Sequence, residues 1–252
     1  MQNSEPAQMK SKISDEAGAT NNMKSKLGFN WSSFVAPEAK IDSERAYFRA
    51  KRSLINLVHD MTSLEGNPFT YPEVKTLLEG TTVGGRLVTD QEQVLNTAAS
   101  WSLLLDKVKK QNFALNKENF LEIHAVVAKN EALLAGSFRD GEVGIGGTAY
   151  KPPTHNALAE LFENGLPIIQ SVENVYERAF VFFLFGALNQ FFWDGNKRTS
   201  RLMAAGELLK AGVDMSNIPA SRKLEFNEKM IQFYDSKDGT EMMSFLTSCI
   251  LI

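Results

Sequence analysis

Apolar residues recur along most of this chain at the three- and four-residue spacing of amphipathic helices. Residues 41–61 read as one long helix, with Ala46, Ala50, Leu54, Leu57 and Val58 as its inner stripe. Glu65, Gly66, Asn67 and Pro68 then break the pattern and turn the chain. Thr70 or Tyr71 followed by Pro72 opens a helix that runs to about Gly80. Residues 82–90 read as a loop, and a helix from there passes Trp101 and ends near Lys109. Asn116 caps the next helix, which turns Phe120, Ile123, His124 and Val127 inward; His124 reads as a core residue. A helix over 157–165 ends at Gly165, and Pro167 starts another. Residues 174–189 are apolar on more than one face, the pattern of a helix buried all round. A second central helix covers 202–210, and helices over 224–234 and 242–250 close the chain. Only 137–150 look like strands. Asp140-Gly141 is a hairpin turn signal followed by short alternation, although Gly144, Gly146 and Gly147 argue against a long sheet. The expected fold is all-α, a helical bundle carrying one small β-hairpin.

Length and composition narrow this further. The chain has 252 residues and a mass of 28.0 kDa, which suits one large domain or one domain with a small appendage. Residues 1–30 are rich in Ser, Asn, Lys and Glu and read as a flexible arm ahead of a single domain over 31–252. Phe29, Trp31, Phe34 and Val35 form an apolar patch expected to dock on that domain. A net charge of −3 lacks the basic field that nucleic-acid binding needs, so no nucleic-acid partner is expected. Cys249 is the one cysteine, so no internal disulfide forms, and its apolar neighbours suit a buried thiol. No basic stretch leads into an apolar run as in a secretory leader, and the apolar run at 179–188 is too short to span a bilayer. A cytoplasmic protein without a membrane partner is expected. Zinc-spaced Cys/His clusters, a Ser-His-Asp order and a P-loop string are all missing.

Candidate chemistry gathers at one polar turn, FFWDGNKRTSR over 191–201, between the two most apolar helices. Gly195 accepts backbone conformations that other residues resist. A helix starting near Asn196 leaves amide hydrogens unpaired at its first turn, and these attract phosphate. Lys197, Arg198 and Arg201 add positive charge, and Arg198 and Arg201 are three residues apart on one helix face. Asp194 is the odd acid among these bases and suits a divalent ion bridged to a phosphate. From composition alone two readings stand: an anion site for a polyphosphate, or a capped helix whose arginines pair with acids elsewhere.

The string itself resembles the core signature of the Fic family, H-P-F-x-D-G-N-G/K-R-x-x-R, at Phe192, Asp194, Gly195, Asn196, Lys197, Arg198 and Arg201. The resemblance implies a helical Fic (Fido) fold and AMP transfer from ATP to a protein hydroxyl. It implies that Asp194 attends a Mg2+ ion, that Gly195, Asn196, Lys197 and Arg198 hold the nucleotide phosphates, and that Arg201 grips the terminal phosphate. Gln190 stands where the family histidine acts as general base, and Phe191 where it has proline. An imidazole titrates near neutrality, whereas a glutamine amide is no base. The resemblance therefore implies either an impaired AMP transferase or a nucleotide-binding pseudoenzyme. Glu65-Gly66-Asn67 matches the end of the inhibitory helix of many Fic proteins, here near 50–66, whose glutamate pairs with the second motif arginine. The usual hydroxyl position four residues before Glu65 is Met61, with Thr62 one place off. Residues 137–153 fall where the family carries its flap, which aligns a target protein along Gly146, Gly147, Thr148, Ala149 and Tyr150. Relatives often self-associate, so a homodimer is expected, with Trp31, Phe34 and Trp101 as contributors.

Overall fold

The structure is a computed structural model that describes residues 26–251 apart from 33, 36 and 39, so most of the expected arm lies outside the described residues. Ten α-helices with both ends described follow in order. The first stretch is two helices rather than one, α1 (Ser43–Arg52) and α2 (Leu54–Leu64). The break is local: the Ser53 N–H is shared between the Arg49 and Ala50 carbonyls at 3.0 and 3.2 Å, a tightened turn that ends α1. Asp42 caps α1 by accepting from the Arg45 amide. Helix α3 (Tyr71–Leu78) starts as its sequence predicts, with Glu73 reaching back to the Thr70 amide at 2.7 Å. Then come α4 (Val88–Lys109) and α5 (Lys117–Val127), the latter capped by Asn116, which accepts from the Asn119 amide at 3.0 Å.

Helix α6 (Leu158–Gln170) runs through both Gly165 and Pro167, contrary to the two helices expected there. Gly165 is kept in the helix by packing, since its bare Cα lies against the Phe185 ring. Pro167 is exposed, and so is Glu163, whose carbonyl loses its helical partner to the proline and can turn to water. Asn174 caps α7 (Val175–Asn189), accepting from the Tyr176 and Glu177 amides. Helix α8 (Asn196–Lys210) returns antiparallel beside it, and α9 (Lys223–Ser236) and α10 (Thr240–Thr247) close the bundle.

Helices α7 and α8 are the centre, and from Ala179 to Asn189 every residue of α7 is buried. They approach so closely that a Cβ at Gly186 would lie 2.0 Å from Ser200 Oγ. A cluster of aromatic rings fills the end of this pair, with Phe120 4.8 Å from Phe192 and 5.4 Å from Phe182 between ring centres. His124 belongs to that core. Its ring stacks on Phe192 at 3.6 Å, and its Nδ1 accepts from the Gly136 amide at 2.9 Å. The proton therefore sits on Nε2, which donates to the Asp194 carbonyl at 3.0 Å. Burial pulls the His124 pKa down to about 4.

The expected hairpin over 137–153 is absent; among the described residues there is no strand, only two isolated bridges, Asn30 with Asp238 and Ser216 with Ile250. The Asp140-Gly141 pair that signals a hairpin turn instead seats Trp193. The indole lies over the bare Gly141 and donates to Asp140 Oδ1 at 3.1 Å. Arg139, 2% exposed, donates to the carbonyls of Gln190, Gly141 and Pro153, which gathers both ends of the segment onto the turn after α7. At the N-terminal side, Leu27, Phe29 and Trp31 are buried and Phe34 is half-buried, whereas Val35 of the expected patch is exposed. Trp31 and Trp101 are interior residues and offer nothing to a homodimer; Trp31 donates to Glu177 at 2.6 Å. Cys249 is buried and free. Among the described residues no helix is long and apolar enough to cross a membrane.

Two outcomes follow from this packing. Gly186→Ala overpacks the contact with Ser200 and lowers unfolding free energy by about 1–3 kcal/mol in urea titrations; an unchanged midpoint would mean that α7 and α8 are not in such close contact. His124 is held neutral in the fold, so below its unfolded pKa of 6.5 the unfolded chain binds the extra proton and stability falls with pH. The loss accumulates between 6.5 and about 4, to roughly 3 kcal/mol. Between pH 7 and 4.5, His124→Gln should flatten that part of the profile, and an identical slope in the two proteins would contradict it.

Candidate functional site

The polar turn between α7 and α8 is fastened residue by residue. Gln190 ends α7 in the left-handed conformation, φ 47° and ψ 60°. Its Nε2 donates to the Ala187 carbonyl at 2.7 Å, and its Oε1 accepts from Asn196 Nδ2 at 3.1 Å. Asn196 also accepts from the Phe192 amide at 2.9 Å and donates to the Phe192 carbonyl at 2.8 Å, closing the turn on itself. Gly195, at φ +75°, is pressed on Val127 and Ala128, where a Cβ would come within 3.3 Å of each. Both the backbone angle and the space require glycine there. The helix that follows has free amides in its first turn and opens onto a cavity of about 450 Å³.

That cavity brings together most of the residues singled out from sequence. Gln190, Asp194, Gly195, Asn196, Lys197 and Arg198 line it from the turn, Glu65 from the end of α2, and Gly144, Ile145 and Gly146 from the 137–153 segment. Trp193 and, from α9, Asn227, Met230, Ile231 and Tyr234 complete the wall. The Tyr234 hydroxyl is buried and has no hydrogen-bond partner. Gly147 packs on Ile231, Thr148 Oγ1 donates to Asp235, and Tyr150 stacks on Tyr234 with ring centres 6.0 Å apart, while Ala149 is exposed. The segment thus rests on α9 at the rim of the cavity. Among the described residues, the backbone of 143–149 belongs to no strand and no β-bridge. His155 pairs with Glu142 at 2.8 Å and does not line the cavity.

The charges are arranged in pairs. Glu65 Oε1 is 3.0 Å from Arg201 Nη2, and Oε2 is 3.1 Å from Lys197 Nζ. Burial opposes the Glu65 charge, but Lys197 and Arg201 outweigh it, and the carboxyl pKa lies below its usual value. Burial pulls Arg201 down to about 10, against the attraction of Glu65. Gly66 and Asn67 stay out of the cavity. Asn67 closes α2 by accepting from the Phe69 amide at 3.0 Å and donating to the Asp90 carbonyl at 2.9 Å. The Thr62 hydroxyl bonds back to the Val58 carbonyl and does not meet Glu65.

The sequence pairs Glu65 with Arg201 but marks neither the contact of Glu65 with Lys197 nor the partner of Arg198. The Arg198 guanidinium, 2% exposed, is held from both sides of its fork by Glu131 at 3.0 and 2.8 Å, with Asp194 Oδ1 at 3.6 Å. Burial works against that charge, and Glu131 reverses the effect and holds the pKa up. Glu131 lies just beyond α5 with no periodicity or motif to mark it; beside Asn130 it reads only as a helix end. Arg139 and Trp193 were likewise unmarked. Asp194 keeps its side chain 60% exposed at the cavity rim. Among the described residues no three acid, histidine or cysteine side chains converge as a metal cage. A lone exposed carboxylate fits an ion that keeps several waters and is otherwise held by phosphate oxygens, the habit of Mg2+.

Comparison with known proteins accords with this geometry. Residues 114–208 match the Fic/DOC family. The chain is 24% identical over 220 residues to the protein adenylyltransferase Fic of Aedes aegypti, covering 82% of this chain and 42% of that protein. It is 25% identical over 206 residues to that of Culex quinquefasciatus, covering 79% and 40%. The chain therefore spans about two-fifths of the length of these relatives. A Fic domain containing signaling protein from Bacteroides thetaiotaomicron superposes with a TM-score of 0.69 at 16% identity over 91% of each chain. Fic-1 from C. elegans does so with 0.69 at 16% identity, over 96% of this chain and 71% of its own. The motif turn lies inside the region that matches the Fic/DOC family, and the helical fold is the one these solved structures share.

Proposed function

We propose that the protein is a Fic-type adenylyltransferase, moving AMP from ATP to a protein hydroxyl, restrained by Glu65 and slowed by Gln190. The observation that carries this is the Glu65 carboxylate lodged between Arg201 and Lys197 at the mouth of α8, inside a 450 Å³ cavity. A carboxylate there mimics the charge of a phosphate, and guanidinium forks bind either. The free amides of Asn196, Lys197 and Arg198 at the helix start would hold phosphate oxygens. Asp194 would hold Mg2+ against those phosphates, and the ion would supply charge neutralisation as pyrophosphate leaves.

In the transfer, the target hydroxyl oxygen forms a bond to the α-phosphorus, the bond from that phosphorus to the pyrophosphate oxygen breaks, and the hydroxyl proton leaves. Positioning and charge dominate such steps. Gln190 cannot take the proton, so it passes to water and the step is slow. The target would lie along the backbone of 143–149, adding itself as a strand beside a segment that belongs to none. A second reading, a nucleotide-binding pseudoenzyme, draws on the Gln190 side chain, whose two polar ends are both engaged within the turn. The two readings share the ligand and part on turnover.

Glu65→Gly should raise ATP affinity by roughly one to two orders of magnitude, about 1.4–2.8 kcal/mol, in calorimetric titrations with Mg2+ present. No ATP binding by this variant would end both readings. Restoring the base in the same background, Gln190→His, should raise transfer of labelled AMP to the protein itself or to lysate proteins by roughly 10²–10⁴-fold. ATP binding with no transfer by Glu65→Gly while Gln190 is kept would favour the pseudoenzyme and remove the transferase, and no gain on Gln190→His would place the defect elsewhere than at Gln190.

A further inference from the structure

Three polar side chains beside the site take no part in the chemistry above, yet they form one unbroken chain. Asn67 comes from the turn after α2, Gln93 from α4 and Glu131 from the loop after α5. Asn67 Nδ2 donates to Gln93 Oε1 at 3.0 Å, and Gln93 Nε2 donates to Glu131 Oε2 at 2.9 Å. Glu131 then grips Arg198 with both oxygens. The direction of every amide is set from its two ends. Asn67 Oδ1 is taken by the Phe69 amide, so its Nδ2 must face the Asp90 carbonyl and Gln93. A carboxylate only accepts, so Gln93 must present its amino group to Glu131. The loop bearing Glu131 is tied to α4 again by Asn96, which donates to the Lys129 carbonyl at 2.6 Å.

Arg198 has two carboxylates within reach, Glu131 at 2.8 Å and Asp194 at 3.6 Å. A buried guanidinium relieved of one turns to the other. Glu131 thus decides whether Asp194 faces the cavity with its charge uncommitted or spends it on Arg198.

We propose that Glu131 is a positioning residue that holds Arg198 off Asp194, and that Asn67 and Gln93 hold Glu131 in place. The turn after α2 then bears on α8 at two points: Glu65 directly on Arg201 and Lys197, and Asn67, through Gln93 and Glu131, on Arg198. A phosphate that displaces Glu65 acts on a turn whose other residue governs the cation-holding carboxylate. The cation arm of this inference rests on the nucleotide reading; the positioning of Arg198 does not.

Two measurements on the full chain test it. The first is the Mg2+ dependence of ATP binding in the Glu65→Gly background, read as the ratio of Kd in EDTA to Kd in Mg2+. Glu131→Gln should lower that ratio by roughly tenfold while affinity in EDTA stays level or rises, and Gln93→Met should lower it in the same sense. A general loss of fold would weaken both arms together, so equal losses with and without Mg2+ would overturn the proposal. The second needs no nucleotide. The guanidinium nitrogen-bound protons of Arg198, assigned by their disappearance in Arg198→Lys, should be resolved in the unchanged protein because the fork is pinned. They should merge in Gln93→Met and in Glu131→Gln. Sharp, unmoved Arg198 signals in Gln93→Met would overturn the relay. If Glu65→Gly binds no ATP the nucleotide reading fails, and the Arg198 signals alone decide the positioning. Gln93→Met keeps the test open should Glu131→Gln not fold.

Discussion

Everything at the candidate site depends on a turn that must bury its own polar backbone. Between α7 and α8 the chain reverses inside the protein, where unpaired amides and carbonyls are costly. The Asn196 side chain answers by bonding the Phe192 amide and carbonyl at once. His124 takes the Asp194 carbonyl, and Arg139 takes that of Gln190. Each of these partners is a buried group set by packing elsewhere: His124 against Phe192, and Arg139 by two further carbonyls. The left-handed Gln190, a conformation disfavoured for a residue with a Cβ, persists because these bonds over-determine it. The first turn of α8 reaches the cavity with its amides free because the turn before it is held by these side chains.

The electrostatics obey the same economy. Within five residues of one helix stand Lys197, Arg198 and Arg201, and each has a carboxylate: Glu65 serves the first and third, Glu131 the second, with Asp194 nearby. Without a ligand the site is internally neutralised. An anion that enters must take over from Glu65 rather than fill an empty positive pocket, and breaking a partly buried pair without replacing it is expensive. Under the proposed function, a ligand bringing several phosphate oxygens to the helix start and to Lys197 and Arg201 together would make that exchange favourable, where a single small anion would not.

How far this could be read beforehand follows from which interactions are local. The helices, the cap at Asn116 and the start of α3 at Thr70 were legible because each is encoded within a few residues. So was the motif turn, whose Gly195 has a backbone need no other residue meets as well. The tightened turn at Ser53 was not, having no marker in the sequence, nor was the continuous helix through Gly165 and Pro167, since the packing of Gly165 on Phe185 overrides local preference there. The hairpin failed for a similar reason: Asp140-Gly141 carries the turn signal, but Trp193, more than fifty residues on, occupies the space a hairpin would need. Glu65 was legible by resemblance, and it does meet Arg201. Glu131, Gln93 and Arg139 act wholly through partners distant in sequence, and no spacing announces them.

Gln190 is best understood by what it does as well as by what it cannot do. Its amide has a donor and an acceptor, and both are used: the Nε2 on the last turn of α7, the Oε1 on Asn196. It therefore stitches the end of one central helix to the start of the other. An imidazole at this position has one N–H and one free nitrogen in its neutral form, and a base must keep the free nitrogen for the incoming proton. It can stitch on one side only. A histidine here would have its one N–H for the last turn of α7 and would leave Asn196 held by Phe192 alone. Gln190 thus fastens the turn at both ends, which a side chain that keeps one nitrogen free as a base does not do.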